Sequence, residues 1–495
     1  MPFSISRRSV LGGAAGGMLA AGTGLDAASG AEDALHGALP RSVDVVVVGG
    51  GLSGLVAARR LRAKGHTVLV LEARGRVGGR IHNHHLRDGS TIESGGAFIG
   101  PTQDRIAALA KEMKVRTFKE FTTGKSVYVS KGRAQTFEGT VPSIQLGLLA
   151  PDALLLQSRI DNMAKEIDVN APWNHPKAAE WDKLTLHEWI VDNALVDGVV
   201  DVIGAWTQPG FGSDPHELSL LFTLWYVACS GNASNKGTFE RNANTSGGAQ
   251  ESRFVGGSQL IPLRIAKALG HRVALNAPVR RIVQGNGHVK VVSDRGTVRA
   301  KRVIVAAPPQ VVRDIDFSPH MPLRRQQLLK HMPMGNLMKC DAVYKKPFWR
   351  AQGRNGFGIA LDGPTRAVFD NSPPNSDLGV LLAFVGGDTW RKYGLETRAK
   401  RRAAVLGGFA QMFGDEALHP IDFVEHDWNQ EKWTGGGPVA VMGPGTMTSF
   451  GRSIRVPHGR VHWAGTETST YWTGYMDGAV RAGERAADEV HAKLR

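Results

Sequence analysis

The chain has 495 residues, 42% of them hydrophobic and 21% charged, a composition typical of globular proteins. Because this length exceeds one ordinary hydrophobic core, we expect two domains. The net charge of +15 predicts a basic surface, which could be attracted to anionic surfaces. The sequence has no long run of lysines or arginines of the kind that binds nucleic acid. Cys229 and Cys340 lie in apolar segments and are expected to be core residues, and no ligand spacing predicts a metal site.

Residues 1–31 are predicted to be an export signal of the twin-arginine type. Arg7 and Arg8 stand before a Gly/Ala-rich stretch, 11–25, which is too short and too interrupted to span a membrane. The alternative is a tail with a chance Arg-Arg pair. The signal predicts export of the folded protein by the twin-arginine machinery, and hence a periplasmic or secreted location.

The next stretch, VDVVVVGGGLSG at 43–54, predicts a dinucleotide-binding turn. Four consecutive valines suit a strand buried on both faces, and Gly49, Gly51 and Gly54 follow at G-x-G-x-x-G spacing before a predicted helix, 55–64. Such a helix directs its free N–H groups at phosphates. A second apolar strand, 67–71, ends in Glu72, whose carboxylate can accept hydrogen bonds from ribose hydroxyls. The alternative is a glycine-rich turn in another α/β protein.

The residues after Glu72 favour FAD over NAD. Arg74 and the run VGGR at 77–80 extend the motif in a way that a nicotinamide enzyme does not need. This start resembles flavin enzymes of the glutathione-reductase-like class, in which an arginine and paired glycines lie along the FAD diphosphate. The residues of this region assigned to FAD are Gly49, Gly51, Leu52, Ser53, Gly54, Glu72, Ala73, Arg74, Gly79 and Arg80.

The chain then alternates between helical and strand patterns. The predicted helices are 103–113, several between 151 and 229, 258–269, 324–331, 396–413 and 475–494. Thr185 and Glu188 form a capping-box pattern, and Asp214 is predicted to cap a buried helix, 218–229, within a helical block that covers the flavin domain. The predicted strands are a hairpin at 127–137, a meander between 273 and 306, and single strands at 339–344, 379–385 and 460–464. The polar stretch 232–248 is predicted to be a loop.

Five blocks in order along the chain resemble the flavin-dependent monoamine oxidase family. They are ESGGAFIGPTQDRI (93–106), LFTLWYVACSGN (221–232), AQESRFVGGS (249–258), NLMKCDAVYKKPFW (336–349) and WAGTETSTYWTGYMDGAVRAGERAA (463–487). The likeness thins between about 125 and 210 and between about 350 and 425.

The resemblance implies an α/β (α+β) two-domain fold, with a glutathione-reductase-like FAD-binding Rossmann domain intertwined with a substrate domain of mixed sheet and helices. The expected FAD-binding segments are 42–120, 251–320 and 426–495, and the expected substrate or cap segments are 121–250 and 321–425.

The implied activity is FAD-dependent oxidation of a small-molecule amine, primary or secondary and including cyclic amines. Hydride transfer to flavin N5 gives an imine that hydrolyses to an aldehyde or ketone, and O2 becomes H2O2. The alternatives are a desaturase or dehydrogenase of a cyclic ketone or amine with another acceptor, an amino-acid oxidase, which would need an arginine for the carboxylate, and an inactive FAD-binding module. The sequence does not decide whether the protein is a monomer or a homodimer.

Two residues are assigned to catalysis by the resemblance. Lys339 matches the family lysine that contacts flavin N5 through a water, and burial would lower its pKa; the alternative is an edge-strand lysine that reaches solvent. Tyr475 matches one of two tyrosines that form an aromatic cage before the flavin; the alternative is a core tyrosine. At the other cage position stands Pro438, so Trp433 or Trp472 is the suggested replacement wall, and a bulky or cyclic amine is favoured over an aryl-ethylamine.

The remaining assignments concern the cavity and the cofactor. Gln250 matches a cavity glutamine, with an ordinary loop residue as the alternative. Gly437 stands where relatives carry the cysteine bonded to flavin, so FAD is expected to bind non-covalently. The further residues assigned to FAD are Gly96, Ala97, Val279, Trp433, Gly465, Thr466, Glu467, Tyr475 and Met476.

Overall fold

The computed structural model describes residues 37–139, 147 and 149–495, and the predicted export signal lies outside them. Two large sheets organise these residues. The first, of eight strands, has the order β13-β10-β11-β12-β1-β2-β9, with β19 also paired to β12. Its strands are β1 (Ser42–Val48), β2 (Val68–Leu71), β9 (Val273–Ala274), β10 (Val279–Gln284), β11 (Val289–Ser293), β12 (Gly296–Val305), β13 (Asp316–Ser318) and β19 (Val461–Trp463).

The second sheet has seven strands in the order β18-β14-β17-β16-β15-β6-β7. Its strands are β6 (Lys125–Ser130), β7 (Arg133–Phe137), β14 (Leu337–Tyr344), β15 (Arg354–Ala360), β16 (Ala367–Asp370), β17 (Gly379–Gly386) and β18 (Asp422–Asp427). Two small ribbons pair β3 (Asn83–His85) with β4 (Thr91–Glu93) and β5 (Thr117–Lys119) with β8 (Ser252–Phe254).

Sixteen α-helices surround the sheets in the described ranges. They are α1 (Leu52–Ala63), α2 (Asp104–Glu112), α3 (Leu149–Ala164), α4 (Ala178–Trp181), α5 (Leu186–Asn193), α6 (Val199–Phe211), α7 (Leu220–Cys229), α8 (Phe239–Ala243), α9 (Leu260–Leu269), α10 (Pro309–Val312), α11 (Leu323–Lys330), α12 (Phe348–Ala351), α13 (Gly387–Tyr393), α14 (Arg398–Phe413), α15 (Thr446–Phe450) and α16 (Met476–Ala492). No helix of the described chain is long and apolar enough to cross a bilayer.

The predicted dinucleotide unit is confirmed as β1-α1-β2. The two strands are parallel, and Val45–Val48 are at most 5% exposed because sheet neighbours and helices cover both faces. Helix α1 begins at Leu52, three residues earlier than predicted, with Gly51 as its N-cap. Gly54 is obligatory in its first turn, since a Cβ there would lie 2.0 Å from the Gly49 oxygen.

The end of the chain returns to this sheet, as predicted. Strand β12 pairs in parallel with both β1 and β19, and β10, β11 and β12 form the antiparallel meander. Helix α16 packs against α1 so closely that a Cβ on Gly483 would lie 2.3 Å from the Ser53 oxygen. The predicted α/β fold, with a Rossmann unit and a second, mixed sheet, is thereby confirmed.

Strand β14 is an interior strand of the second sheet, between β17 and β18. Side chains alternate along it, so Met338 and Cys340 enter the apolar core under α14, while Lys339 and Asp341 share the opposite face. All eight residues of the strand are buried, which is why its two charged side chains need partners.

Two local predictions were wrong. Asp214 does not cap the buried helix, because its carboxylate accepts hydrogen bonds from Gln208 Nε2 and the Asp388 amide, both at 2.6 Å. Ser219 caps α7 instead, and all ten residues of that helix are buried as expected. The stretch predicted as a loop contains α8, capped by the Thr238 side chain.

Candidate active site

A cavity of about 440 Å³ lies between the two sheets and the helical block. It is lined by the glycine-rich turn after β1, by strands of the second sheet and by α3, α6 and α8. Most of the predicted site residues line it. They are Gly49, Gly51, Leu52, Ser53, Glu72, Ala73, Arg74, Gly79, Arg80, Gly96, Ala97, Gln250, Val279, Lys339, Trp433, Pro438, Gly465, Thr466, Tyr475 and Met476.

The nucleotide half of the cavity is shaped for a diphosphate. Gly51 and Gly79 face each other, and a Cβ on Gly79 would lie 3.3 Å from the Gly51 Cα, so side chains there would fill the gap between the two backbones. The Glu72 carboxylate accepts hydrogen bonds from the Gly50 amide at 2.6 Å and the Arg74 amide at 2.8 Å. Burial raises its pKa. These residues therefore fit the expected FAD, whose phosphates they would hold at the N-terminus of α1.

Three predicted site residues lie behind the cavity lining. Gly54 serves the packing of α1 on β1. Glu467 forms an ion pair with Arg80. Trp472, predicted as a cavity wall, is 1% exposed and instead supports Tyr475 from behind, with ring centroids 4.8 Å apart and its Nε1 donating to Thr102.

The second aromatic ring beside Tyr475 is Tyr226, which the sequence interpretation did not single out. The two ring centroids are 6.0 Å apart at an interplanar angle of 39°, and both rings line the cavity. Burial raises the pKa of both phenols, so both stay neutral. Trp433, the other suggested wall, lies under the side chains of Arg280 and Lys432, at 5.5 and 5.0 Å, and thus beside Val279. The LFTLWYVACSGN block carried the only sequence signal for Tyr226.

Lys339 is 2% exposed and lines the cavity. Its Nζ donates to the Glu93 carbonyl oxygen and, at 3.1 Å, to that of Gly95. Burial lowers its pKa, and the phenyl ring of Phe384 lies 5.5 Å from Nζ. The amine is therefore held by backbone carbonyls at the end of β4.

A buried charge cluster surrounds Lys339, and sequence reasoning missed it. Arg253 forms ion pairs with Glu93 and Glu120, and each of these three residues is less than a tenth exposed. Asp341, two residues from Lys339 on the same strand face, accepts a hydrogen bond from Asn371 at 2.7 Å, and burial raises its pKa to about 6. The alternation of β14 is the one signal that would have placed Asp341 here.

The short helix α8 supplies the second missed group. Asn242 lines the cavity and accepts a hydrogen bond from the Tyr475 hydroxyl at 2.8 Å. Gln250 Nε2 donates to the Asn242 carbonyl oxygen at 3.2 Å, while the buried Gln250 Oε1 has no partner among the described residues. A threonine cap before Phe239 was the available sequence signal.

The half of the cavity away from the glycine-rich turn, which we call the substrate half, contains Tyr226, Tyr475, Lys339, Asn242 and Gln250. Its other walls are apolar. Its walls come from α3, α6 and the second sheet, and they include Trp206, Leu337, Phe357, Ile359, Phe369 and Phe384. Lys339 is buried in this half. Of the acidic lining residues, Glu240 and Asp314 are exposed, and the buried Glu72 lies beside the glycine-rich turn. An amine bound here would be desolvated, which favours its neutral form.

Known proteins match this chain over nearly its whole length. A family described as flavin containing amine oxidoreductase matches residues 52–491. AofH of Mycobacterium tuberculosis, named as a flavin-containing monoamine oxidase, is 41% identical over 92% of this chain and 98% of its own. Putrescine oxidase bound to putrescine has a TM-score of 0.86 at 32% identity over 91% and 99% of the two chains. Cyclohexylamine oxidase from Brevibacterium oxydans has the same TM-score and identity over 92% and 99%.

Proposed function

Because the chain belongs to the family of flavin-containing amine oxidoreductases, we propose that it oxidises a hydrocarbon monoamine, primary or secondary and including cyclic amines, with O2 as electron acceptor. The observation that carries the substrate class is the apolar substrate half of the cavity around Tyr226 and Tyr475. The enzyme is a flavin amine oxidase, and its cofactor is FAD.

FAD binds without a covalent bond. Gly437 lines the cavity where the flavin-linked cysteine of some relatives would stand, and neither Cys229 nor Cys340 lines it. The cofactor supplies an acceptor for two electrons from the carbon that bears the amine. What remains for the protein is to bind, orient and desolvate that amine.

The charge of the cavity supports a monoamine. A diamine would carry a second ammonium into the substrate half, where the described lining offers no buried carboxylate to pair with it. An amino acid would need a cation for its carboxylate, but the lining arginines Arg74, Arg80 and Arg280 each already pair with a carboxylate of the protein. Lys339 is engaged by the carbonyl oxygens of Glu93 and Gly95. Putrescine oxidase shares the fold but, on this argument, not the preferred substrate, and cyclohexylamine oxidase is the better guide.

In the net reaction, the amine loses two electrons and two protons and becomes an imine. Water then hydrolyses the imine to an aldehyde or ketone and releases ammonia, or an amine where the substrate is secondary. O2 takes up both electrons and protons to form H2O2. Tyr475 and Tyr226 present ring faces that steer the amine, and the dry walls favour its neutral form. Lys339 lines the cavity, and the family resemblance implies that its amine contacts a water there.

The test is anaerobic mixing of the purified enzyme with cyclohexylamine, putrescine, alanine and cyclohexanone. We expect rapid bleaching of the flavin with cyclohexylamine, slow bleaching with putrescine and none with alanine. Admission of air should restore the colour and release H2O2. Bleaching by cyclohexanone without bleaching by any amine would favour the desaturase alternative, and colour restored only by an artificial acceptor would favour a dehydrogenase.

The basis for a location is the N-terminal sequence alone. Arg7 and Arg8 with the stretch 11–25 support export through the twin-arginine machinery in the folded, FAD-loaded state. The enzyme would then act on amines in the periplasm or outside the cell.

A further inference from the structure

We propose that Asn242 is a positioning residue that keeps the phenolic proton of Tyr475 away from the substrate nitrogen, an inference that rests on the amine oxidation proposed above. The Tyr475 hydroxyl donates to Asn242 Oδ1 at 2.8 Å, and both residues line the cavity. Asn242 is 2% exposed, so its side chain is largely shielded from bulk water.

The orientation of the Asn242 amide is fixed by its other neighbours. The Ser230 hydroxyl donates its single proton to the Tyr226 carbonyl oxygen at 3.2 Å. It therefore accepts from the Asn242 side chain, which identifies the atom facing Ser230 as Nδ2 and the atom facing Tyr475 as Oδ1. The Asn242 carbonyl oxygen accepts from Gln250 Nε2, which ties the backbone of α8 to the same wall.

The Tyr475 ring is held on its other side by Trp472, whose ring meets it edge to face at 80°. A phenol held in this way offers an amine its ring face and an oxygen lone pair, but no donor. This matters because the nitrogen lone pair of the amine must form the C=N bond of the imine. A hydroxyl that donated to that lone pair would stabilise the bound amine and oppose its oxidation.

The experiment is a double-mutant cycle of Asn242→Leu and Tyr475→Phe, with anaerobic flavin reduction by cyclohexylamine followed over a range of amine concentrations. In the wild-type background, we expect Asn242→Leu to lower the limiting reduction rate about three- to tenfold, the effect of one neutral hydrogen bond, without weakening amine binding. In the Tyr475→Phe background, the same change should alter the rate less than about twofold, since there is no proton to hold.

Asn375→Leu, at an exposed position outside the cavity lining, is the matched control. We expect its rate to stay within about twofold of the wild type. If Asn242→Leu loses FAD, Ser230→Ala takes its place in the cycle, because it frees the amide to turn without removing it.

Equal losses in both backgrounds would overturn the inference, and so would weaker amine binding with an unchanged limiting rate. Both results leave the proposed function intact, because the wild-type flavin is still bleached. A wild type that no amine bleaches would instead overturn the proposed function.

Discussion

Arg80 and Glu467 form a two-pronged ion pair, with Nη1 2.6 Å from Oε1 and Nη2 3.0 Å from Oε2. The Glu467 side chain is 4% exposed and that of Arg80 is 21% exposed. Arg80 Nη1 also donates to the Pro438 carbonyl oxygen at 2.8 Å, so one guanidinium joins three distant chain segments around the cavity.

Glu467→Gln should weaken FAD binding and lower the melting temperature. Removal of one charge from a buried pair costs about 3 kcal/mol, because the remaining guanidinium is left unpaired. FAD titration of the apoprotein and thermal unfolding measure the two effects. Asp316→Asn is the matched control, since its ion pair with Arg281 at 2.9 Å is more than half exposed, and we expect little change there. Equal effects of both variants would contradict this role of the pair.

Lys339→Met should retain FAD and be reduced by amine, but the bleached enzyme should regain its colour in air far more slowly. The substitution keeps length and apolar bulk while it removes the amine that burial holds at a lowered pKa. Rapid mixing separates the two half-reactions. Lys345→Met, at an exposed position in the same sequence block, should behave as the wild type. Normal recovery in Lys339→Met would remove Lys339 from the oxygen reaction.

Pro438→Tyr should shift the substrate preference from cyclohexylamine toward flat aryl-alkyl amines. Pro438 lines the cavity, and an aromatic ring there would add a flat wall to it. The ratio of kcat/KM for cyclohexylamine and phenylethylamine, at equal FAD content, measures the shift. Pro457→Tyr, at an exposed position outside the lining, is the control. An unchanged ratio would show that position 438 does not contact the substrate.

Asp341 should make stability fall as pH rises through the range from about 4 to 6. Burial raises its pKa from 3.8 to about 6 in the native state. Between these values the folded protein keeps a proton that the unfolded chain has released, so stability decreases with rising pH. Asp341→Asn lacks this proton, and its melting temperature relative to that of the wild type should therefore increase from pH 4 to pH 6.5. A constant difference across this range would mean that the carboxyl titrates normally.

Arg7→Lys together with Arg8→Lys should leave the protein in the cytoplasm. Recognition of a twin-arginine signal depends on the guanidinium pair, which lysine does not reproduce. Cell fractionation with an activity assay follows the distribution, and Arg41→Lys is the control outside the signal. Unchanged export of the double variant would refute the assignment of residues 1–31.

The sequence by itself determined the dinucleotide unit, the meander and the cofactor. Consecutive valines, the glycine spacing and an acid at the end of the second strand are local signals, and each reports a backbone requirement that only a few residue types satisfy. The sequence also predicted Lys339 and Tyr475 as site residues, because they stand inside blocks shared with a known family.

Only the tertiary structure decided which residues surround them. Tyr226 and Asn242 come from a buried helix and a short helix, and their contacts with Tyr475 cross 249 and 233 positions of sequence. Trp472 and Glu467 carry strong local signals but lie behind the lining, because a side chain's direction is set by the neighbours it packs against and not by its own motif. Capping by Ser219 instead of Asp214 has the same origin, since Gln208 and the Asp388 amide already engage that carboxylate.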